Sequence, residues 1–358
     1  MKPNAYRNVF DNNIAQQFKK AVQIMTAEPS KLLFFMKMLK NQGKAARLRK
    51  KLAKEGTEVP PLLIISITSV CNLSCSGCYS KFLHRDVKKE MDLNKFKAVL
   101  EEARQLGVSI ILLAGGEPLI QRPMLEMASQ FPEIMFPIFT NGTLLDSEYI
   151  EFFGKSPNVI PVISLEGSED ETDDRRGEGV YRNFRNIKEN LNWNRILWGV
   201  SLTLTRRNYD DLTSRKYMEQ LMDKGCRLFF FVEYVPIQED CNEMVLTEPQ
   251  KKGIQGIVNQ YMAELPAMFV AFPGDEEQYG GCLAAGRGFL HINPEGKVEA
   301  CPFAPYSDTD LKDTTLKEAL SSPLLKKIRE NHHLLKETEG GCALWANREF
   351  VQKLKVKN

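Results

Sequence analysis

The chain opens with no basic-apolar-small leader, and no apolar run in it approaches the roughly 18 residues of a membrane span. Without a secretory context a disulfide framework has no support, and the cytosol, where thiols stay reduced, is the expected compartment. Histidine is scarce. His84, His291, His332 and His333 have no partners at metal-ligand spacing and read as structural or exposed. After Cys78 the next cysteine is Cys226, so a zinc knuckle built on Cys75 and Cys78 lacks its second close pair.

At 358 residues and 43% hydrophobic content the chain can bury a large core, and its length suggests two or three domains. The formal net charge of +2 hides an asymmetry: residues 1–60 carry 13 Lys or Arg against 4 Asp or Glu. Such an arm suits an anionic lipid surface, an acidic partner or nucleic acid, or is simply a solvated helical face. Ile14, Phe18, Val22 and Met25 form one helical stripe, and a second helix starts at Pro29-Ser30. The stretch from Lys31 to Lys40 is more apolar than one buried stripe requires; it reads either as packing on the rest of the protein or as an amphipathic segment on a membrane or a greasy partner. A basic helix runs on from Lys44 to Lys54 and stops at Gly56, before Pro60-Pro61.

The loop Cys71-Asn72-Leu73-Ser74-Cys75-Ser76-Gly77-Cys78-Tyr79 holds three of eight cysteines in eight residues. Thiolates are soft ligands that select iron-sulfur clusters, zinc or copper(I). Three protein sulfurs around a four-iron cluster would leave one iron open to a non-protein ligand, as open catalytic metal sites do. The β-branched run from Leu62 to Thr68 feeds directly into this loop and reads as a parallel strand buried on both faces. Further strands are expected at 109–113, 134–139, 159–164, 198–204 and 228–232, separated by helical intervals such as Leu93 to Leu106. This repeated β-α pattern predicts an α/β fold whose right-handed crossovers curl a parallel sheet toward a barrel. Every distinctive polar motif falls at the C-terminal end of one of these runs, where β/α barrels build their sites.

The CxxxCxxC spacing, the CNLxCxxCY context and Gly115-Gly116-Glu117-Pro118 together resemble the radical S-adenosylmethionine (radical SAM) enzymes. The resemblance implies a partial (β/α)6 TIM-like barrel over residues 61–238, a 4Fe-4S cluster held by Cys71, Cys75 and Cys78, and SAM bound to the open iron. It implies reductive cleavage of SAM to methionine and a 5'-deoxyadenosyl radical that takes hydrogen from a substrate carbon. Gly115, Gly116, Glu117 and Pro118 would pack along the methionine moiety, with Tyr79 and Asn141 also at the cofactor. Ser164-Leu165-Glu166-Gly167 resembles the segment near the SAM ribose, with Glu166 where Asp is usual. Arg176, in Arg176-Gly177-Glu178-Gly179-Val180-Tyr181, would pair with the SAM carboxylate, whose two oxygens match paired guanidinium donors. An ion pair at a surface or between domains is the other reading of Glu166 and Arg176. Glu233 and Tyr234, ending the sixth run, are candidates for substrate contact or proton transfer.

Beyond residue 240 the strand-helix alternation is expected to stop, and cysteines return at Cys241, Cys282, Cys301 and Cys342. Residues 288–300 read as a hairpin around Asn293-Pro294-Glu295-Gly296, flanked by Cys282 and Cys301. This spacing resembles the SPASM and twitch extensions, implying a C-terminal α+β auxiliary-cluster domain over residues 239–358, after a helical extension at 1–60. A linker helix is expected between Leu311 and Leu325. Only Cys342-Ala343-Leu344-Trp345 stands where a full domain continues with CxxC, so one auxiliary 4Fe-4S cluster on Cys282, Cys301 and Cys342 is implied, against buried structural thiols or a zinc site. Its fourth iron would be open or filled by Cys241, Cys226 or substrate; Cys226 alone reads as core. The expected partners are a reductant such as flavodoxin or ferredoxin and a small-molecule or lipid-like substrate, with possible membrane-surface contact through residues 1–60 and no specific nucleic acid binding. A peptide or protein maturase is the alternative, although residues 1–60 look wholly helical where such maturases often carry a winged-helix leader-binding domain. The alternative from another class is a non-catalytic iron-sulfur redox sensor.

Overall fold

The apolar run Leu62–Thr68 forms strand β1, buried at all but its first residue, and it lies third from one edge of a single sheet. The computed structural model describes residues 5–27, 29–83, 87, 89–237, 239–272, 279, 281–335 and 342–356. His84 lies outside the described residues, as does the side chain of Cys241. After β1 come β2 (Ile110–Gly115), β3 (Phe136–Thr140), β4 (Val159–Leu165), β5 (Gly199–Leu204) and β6 (Leu228–Glu233), each parallel to its neighbour. Helix Leu93–Leu106 occupies the first interval as expected, with Asp92 accepting from the Lys95 N–H and Gly107 ending it at φ 84°.

The alternation does not stop near residue 240. Helix Glu248–Glu264, opened by a Thr247–Gln250 capping box, leads to β7 (Met268–Phe272), which pairs parallel to β6. The expected hairpin is present as β8 (Phe289–Ile292) and β9 (Val298–Glu299), and β8 also pairs parallel to β1. The result is a nine-stranded sheet in the order β7-β6-β5-β4-β3-β2-β1-β8-β9 rather than six strands followed by a separate sheet. It curls until its two arms meet, with the rings of Phe272 on β7 and Phe289 on β8 5.0 Å apart. The expected linker helix divides into Leu316–Ala319 and Pro323–Glu330, because Ser322 caps the second and Pro323 occupies its first turn.

Strand periodicity sorts the apolar side chains into two cores. Odd positions of β1, such as Leu63 and Ile65, pack under the outer helices in the main core. The inner face meets the N-terminal extension. Helices α1 (Ala5–Ile24) and α2 (Pro29–Lys54) send Ile14, Phe18, Ala21, Phe35 and Met38 against Met135, Ile160, Leu228 and Met268 at the beginnings of the strands. The arm is thus a plug in the bottom of the barrel. Buried Arg49 fixes it, donating to Gly107 O and to Ser109 Oγ (2.9 Å) while pairing with Asp11. Desolvation lowers the Arg49 pKa, and Asp11 partly offsets this. The apolar stretch around Lys31–Lys40 divides: Phe35 and Met38 pack inward, whereas Leu33 and Met36 are 69% and 52% exposed beside the exposed Lys37, Lys40 and Lys44.

Candidate active site

The cysteine loop leaves β1 at the C-terminal mouth of the barrel, and the turn after β2 fixes its root. Gly116 N donates to Thr68 O (2.7 Å) and Glu117 N to Val70 O (2.8 Å), so two carbonyls just before Cys71 are held by the Gly115–Glu117 backbone. The approach is too close for side chains: a Cβ on Gly115 would lie 2.2 Å from Thr68 O and one on Gly116 2.1 Å from Val70 O. Glu117 then turns inward. Its carboxylate accepts from Thr140 Oγ1 (2.7 Å), Asn141 N (2.8 Å) and Leu119 N (3.0 Å), tying the loop after β2 to the loop after β3. Burial raises its pKa, and these donors work against that rise. Asn141 passes the link on, donating from Nδ2 to Asn72 Oδ1 (2.9 Å) inside the cysteine loop.

Sequence reading missed two residues here. One oxygen of Glu90 accepts from Thr68 Oγ1 (2.9 Å), Ser69 N (2.7 Å) and Ser69 Oγ (2.9 Å), and the other from Gln121 Nε2 (3.2 Å), clamping the same root. Arg175 grips the loop's far side: its carbonyl accepts from Ser76 N (3.0 Å) and its Nε donates to Ser76 O (3.3 Å). Arg176 donates to Glu166 Oε1 through Nε (2.8 Å) and Nη2 (2.5 Å), while Arg175 Nη1 lies 2.7 Å from Glu166 Oε2. Two guanidinium groups therefore face the buried Glu166 carboxylate, with Glu117 also within electrostatic reach of Arg176. Desolvation opposes the charge on Arg175, and Glu166 more than restores it, so its pKa is raised.

Cys71 is exposed and Cys75 and Cys78 half-buried, all lining one cavity of about 810 Å³ that descends into the barrel. Partial burial pushes the Cys71 and Cys75 thiols up, and for Cys75 the charges of Arg176 and Arg175 oppose the shift. Gly115, Gly116, Glu117, Asn141, Ser164 and Arg176 share this lining, and Ser164 pairs in register with Ser201 on β5. Tyr79 also lines the cavity, its ring 4.8 Å from that of Phe303 at a 55° tilt. Pro118 is buried at the start of a short 3-10 turn, one step back from the cavity. Tyr234 packs under the cysteine loop: a Cβ on Gly77 would come 2.7 Å from its hydroxyl, and Arg175 lies 5.9 Å over its ring. Glu233 is buried at the end of β6, near enough to Tyr209 for its charge to help burial push that phenol up.

Cys282, Cys301 and Cys342 come together from the segment before β8, the residues after β9 and the start of helix Ala343–Ala346. All three are buried, and burial together with the neighbouring Cys342 thiol pushes Cys301 well up. Arg287 secures the first of them by donating to Cys282 O and Gly281 O. Trp345, standing where a fuller motif has cysteine, donates from Nε1 to Pro236 O (2.9 Å) and so moors this segment beyond β6. Cys226 lies apart in the core, its thiol pushed up to about 12 by burial. Among the described residues no three His, Cys, Asp or Glu form a group able to hold a metal ion. His291 is structural, buried between Ser66 Oγ (2.9 Å) and Glu299 Oε2 (2.7 Å).

A three-thiol loop at the C-terminal mouth of a curled β/α sheet, above a charged shelf and a deep cavity, defines the architecture of a cluster-bearing partial barrel. Residues 65–212 match the model of the Radical SAM superfamily, and the chain carries a radical SAM domain. The AdoMet-dependent heme synthase of Methanosarcina barkeri is 24% identical over 315 residues, covering 80% of this chain and 89% of that protein. The mycofactocin maturase MftC of Mycolicibacterium smegmatis is 26% identical over 312 residues, or 81% and 76% of the two chains. The solved structure of Streptococcus suis SuiB bound to S-adenosylmethionine shares the fold at a TM-score of 0.66 and 20% identity, over 90% of this chain and 80% of that one. Radical SAM domains bind a 4Fe-4S cluster and SAM.

Proposed function

We propose that this chain is an enzyme that cleaves SAM reductively and abstracts hydrogen from a carbon of a small or lipid-like substrate, leading to oxidation or bond formation. The observation that carries the reading is the convergence of Cys71, Cys75 and Cys78 on the mouth of a cavity shared with Gly115, Gly116, Ser164 and Arg176. These residues fit the group: the three thiols, soft ligands of the kind iron-sulfur clusters take, line one opening, and the cavity falls in the range of about 300–1,000 Å³ that ligand sites occupy. When bound and reduced, the cluster would supply the electron that splits SAM into methionine and a 5'-deoxyadenosyl radical.

The protein's part is to position. Cys71, Cys75 and Cys78 would hold three irons, and the glycine turn would present backbone to the methionine end of SAM. The paired guanidinium groups of Arg175 and Arg176 suit the SAM carboxylate. Glu233 and Tyr234 are proposed to border the substrate. Residues 1–60, 61–238 and 239–358 are proposed as functional units, the last with one auxiliary 4Fe-4S cluster on Cys282, Cys301 and Cys342. A flavodoxin or ferredoxin would bring the electron. By name one relative makes heme and another matures mycofactocin, so the relatives do not choose the substrate.

The test is to reconstitute the protein anaerobically, reduce it with dithionite and add SAM. Methionine and 5'-deoxyadenosine in equal amounts are expected; intact SAM beside fully loaded protein would overturn the reading. Replacing Cys282, Cys301 and Cys342 with alanine should lower bound iron from about eight to about four per chain and leave SAM cleavage measurable. Unchanged iron would remove the auxiliary cluster.

Among the described residues no helix is long and apolar enough to cross a membrane. The exposed Leu33 and Met36, flanked by Lys37, Lys40 and Lys44, are proposed as a face that rests on anionic lipid. The protein should cosediment with phosphatidylserine-containing vesicles at low salt and be released near 0.5 M salt, where the Debye length is only about 4 Å. Failure to cosediment at low salt would remove this proposal.

A further inference from the structure

Barrel interiors are normally filled by inward side chains, yet Leu62, Ile110, Phe139, Val232 and Val270, all in the lining, are only partly buried. Ile110, Phe139, Val232 and Val270 touch the core that the plug shares with the strand beginnings, and the cavity runs past them. The cavity is also graded. Near the cysteine loop its wall carries Ser164, Ser201, Thr203 and Arg176; toward α1 it carries Phe18, Ala21, Met135 and Met268, with Gln17 and Lys20 of α1 also in the lining. An extended peptide would bury more amides than these few polar groups can pair, and a macrocycle bearing carboxylates would bury charge beside hydrocarbon. Methionines adapt to a flexible guest.

The lower end reaches the surface at a slot between α1 and helix Glu248–Glu264, where Lys19, Asn259 and Ala263 are exposed. Lys20 Nζ spans the slot to Met262 O (2.9 Å). Beside it Gln17 donates to Phe269 O (2.8 Å) from Nε2, leaving its buried Oε1 with no hydrogen-bond partner. An acceptor so placed suits a hydroxyl.

We infer that the barrel takes a single-chain amphiphile, its hydroxyl-bearing head at the slot beside Gln17 and its aliphatic chain running up the inner face toward the cysteine loop. The inference rests on the proposed SAM chemistry at the mouth and names its substrate class: the hydrogen removed would come from a carbon well along the chain, remote from the head.

The probes are 1-alkylglycerols of 8, 10 and 12 carbons, titrated calorimetrically below their micellar concentrations into anaerobically reconstituted full-length protein. One-to-one binding is expected, tightening about fourfold per methylene as chain carbons enter the apolar lining. Val270→Trp, which fills the bore, should weaken binding at least tenfold; Val270→Ala should keep it. Binding independent of chain length, or equal in Val270→Trp, would place the chain on the surface and overturn the inference. Binding of hemin or an apolar peptide in place of every alkylglycerol would do the same. If the Trp variant does not fold, the chain-length series on wild type still decides. Wild type that cleaves SAM but binds no alkylglycerol loses this inference alone; wild type that cleaves no SAM loses the reading beneath it.

Discussion

Replacing Cys71, Cys75 and Cys78 together with alanine will abolish 5'-deoxyadenosine formation and lower bound iron from about eight to about four per chain. The three thiols line one cavity at the barrel mouth, whereas Cys282, Cys301 and Cys342 form a separate buried set, so the two losses should be independent. The fold should survive, because Cys71 is exposed and the loop is also held by Asn72, Ser76 and Gly77. Iron and sulfide counting with product chromatography checks this. A variant that keeps all its iron would show that the loop binds no cluster.

Gly116→Val gives the second large effect. The new Cβ would stand 2.1 Å from Val70 O and 2.9 Å from the Ser69 carbonyl carbon, and both are backbone atoms that cannot swing aside. Relief requires β1's exit and the turn after β2 to separate, breaking the Gly116–Thr68 and Glu117–Val70 bonds that seat Cys71. Overpacking of this kind costs about 1–3 kcal/mol of stability. Displacement of the loop by about 1 Å should lower SAM cleavage roughly 100-fold. Denaturant melts and product counting on iron-loaded protein check both. Near-normal cleavage would mean that the glycine turn does not set the loop's position.

Much of this fold was legible in the chain, for identifiable reasons. The run Leu62–Thr68 reads at its true boundaries because a strand buried on both faces needs a continuous apolar stretch. Helix Leu93–Leu106 carries its own stop in Gly107. The unit formed by helix Glu248–Glu264 and β7 was missed because Gly253 and Gly256 weaken the helical signal and β7 is only five residues long. The plug was half legible: the stripe Ile14, Phe18, Val22, Met25 declares a buried face but not what covers it, and Met135 and Met268, which do, lie more than a hundred residues away. Local pattern carries no such information.

At the site, the motif residues could be named because their spacing is local, and the structure brings the three loop cysteines, the glycine turn, Ser164 and Arg176 to one cavity. Glu90 and Arg175 could not be named. Glu90 acts on residues 21 and 22 positions away, and Arg175 differs from Arg176 only in which side of Glu166 it approaches. Charge composition separates neither from a solvated surface residue. Glu117, expected along the methionine moiety, lines the same cavity, and its carboxylate also accepts from Thr140, Asn141 and Leu119, a strut between loops that no local pattern announces.

The central claim is that three thiolates in the Cys71–Cys78 loop hold a cluster with one iron open to SAM. The most direct measurement is electron paramagnetic resonance of the reduced Cys282, Cys301, Cys342 triple alanine variant, in which only the loop's cluster should remain, recorded with and without SAM. The account predicts a single reduced 4Fe-4S signal whose shape changes when SAM binds. A signal that SAM leaves unaltered, in protein holding about four irons, would contradict it.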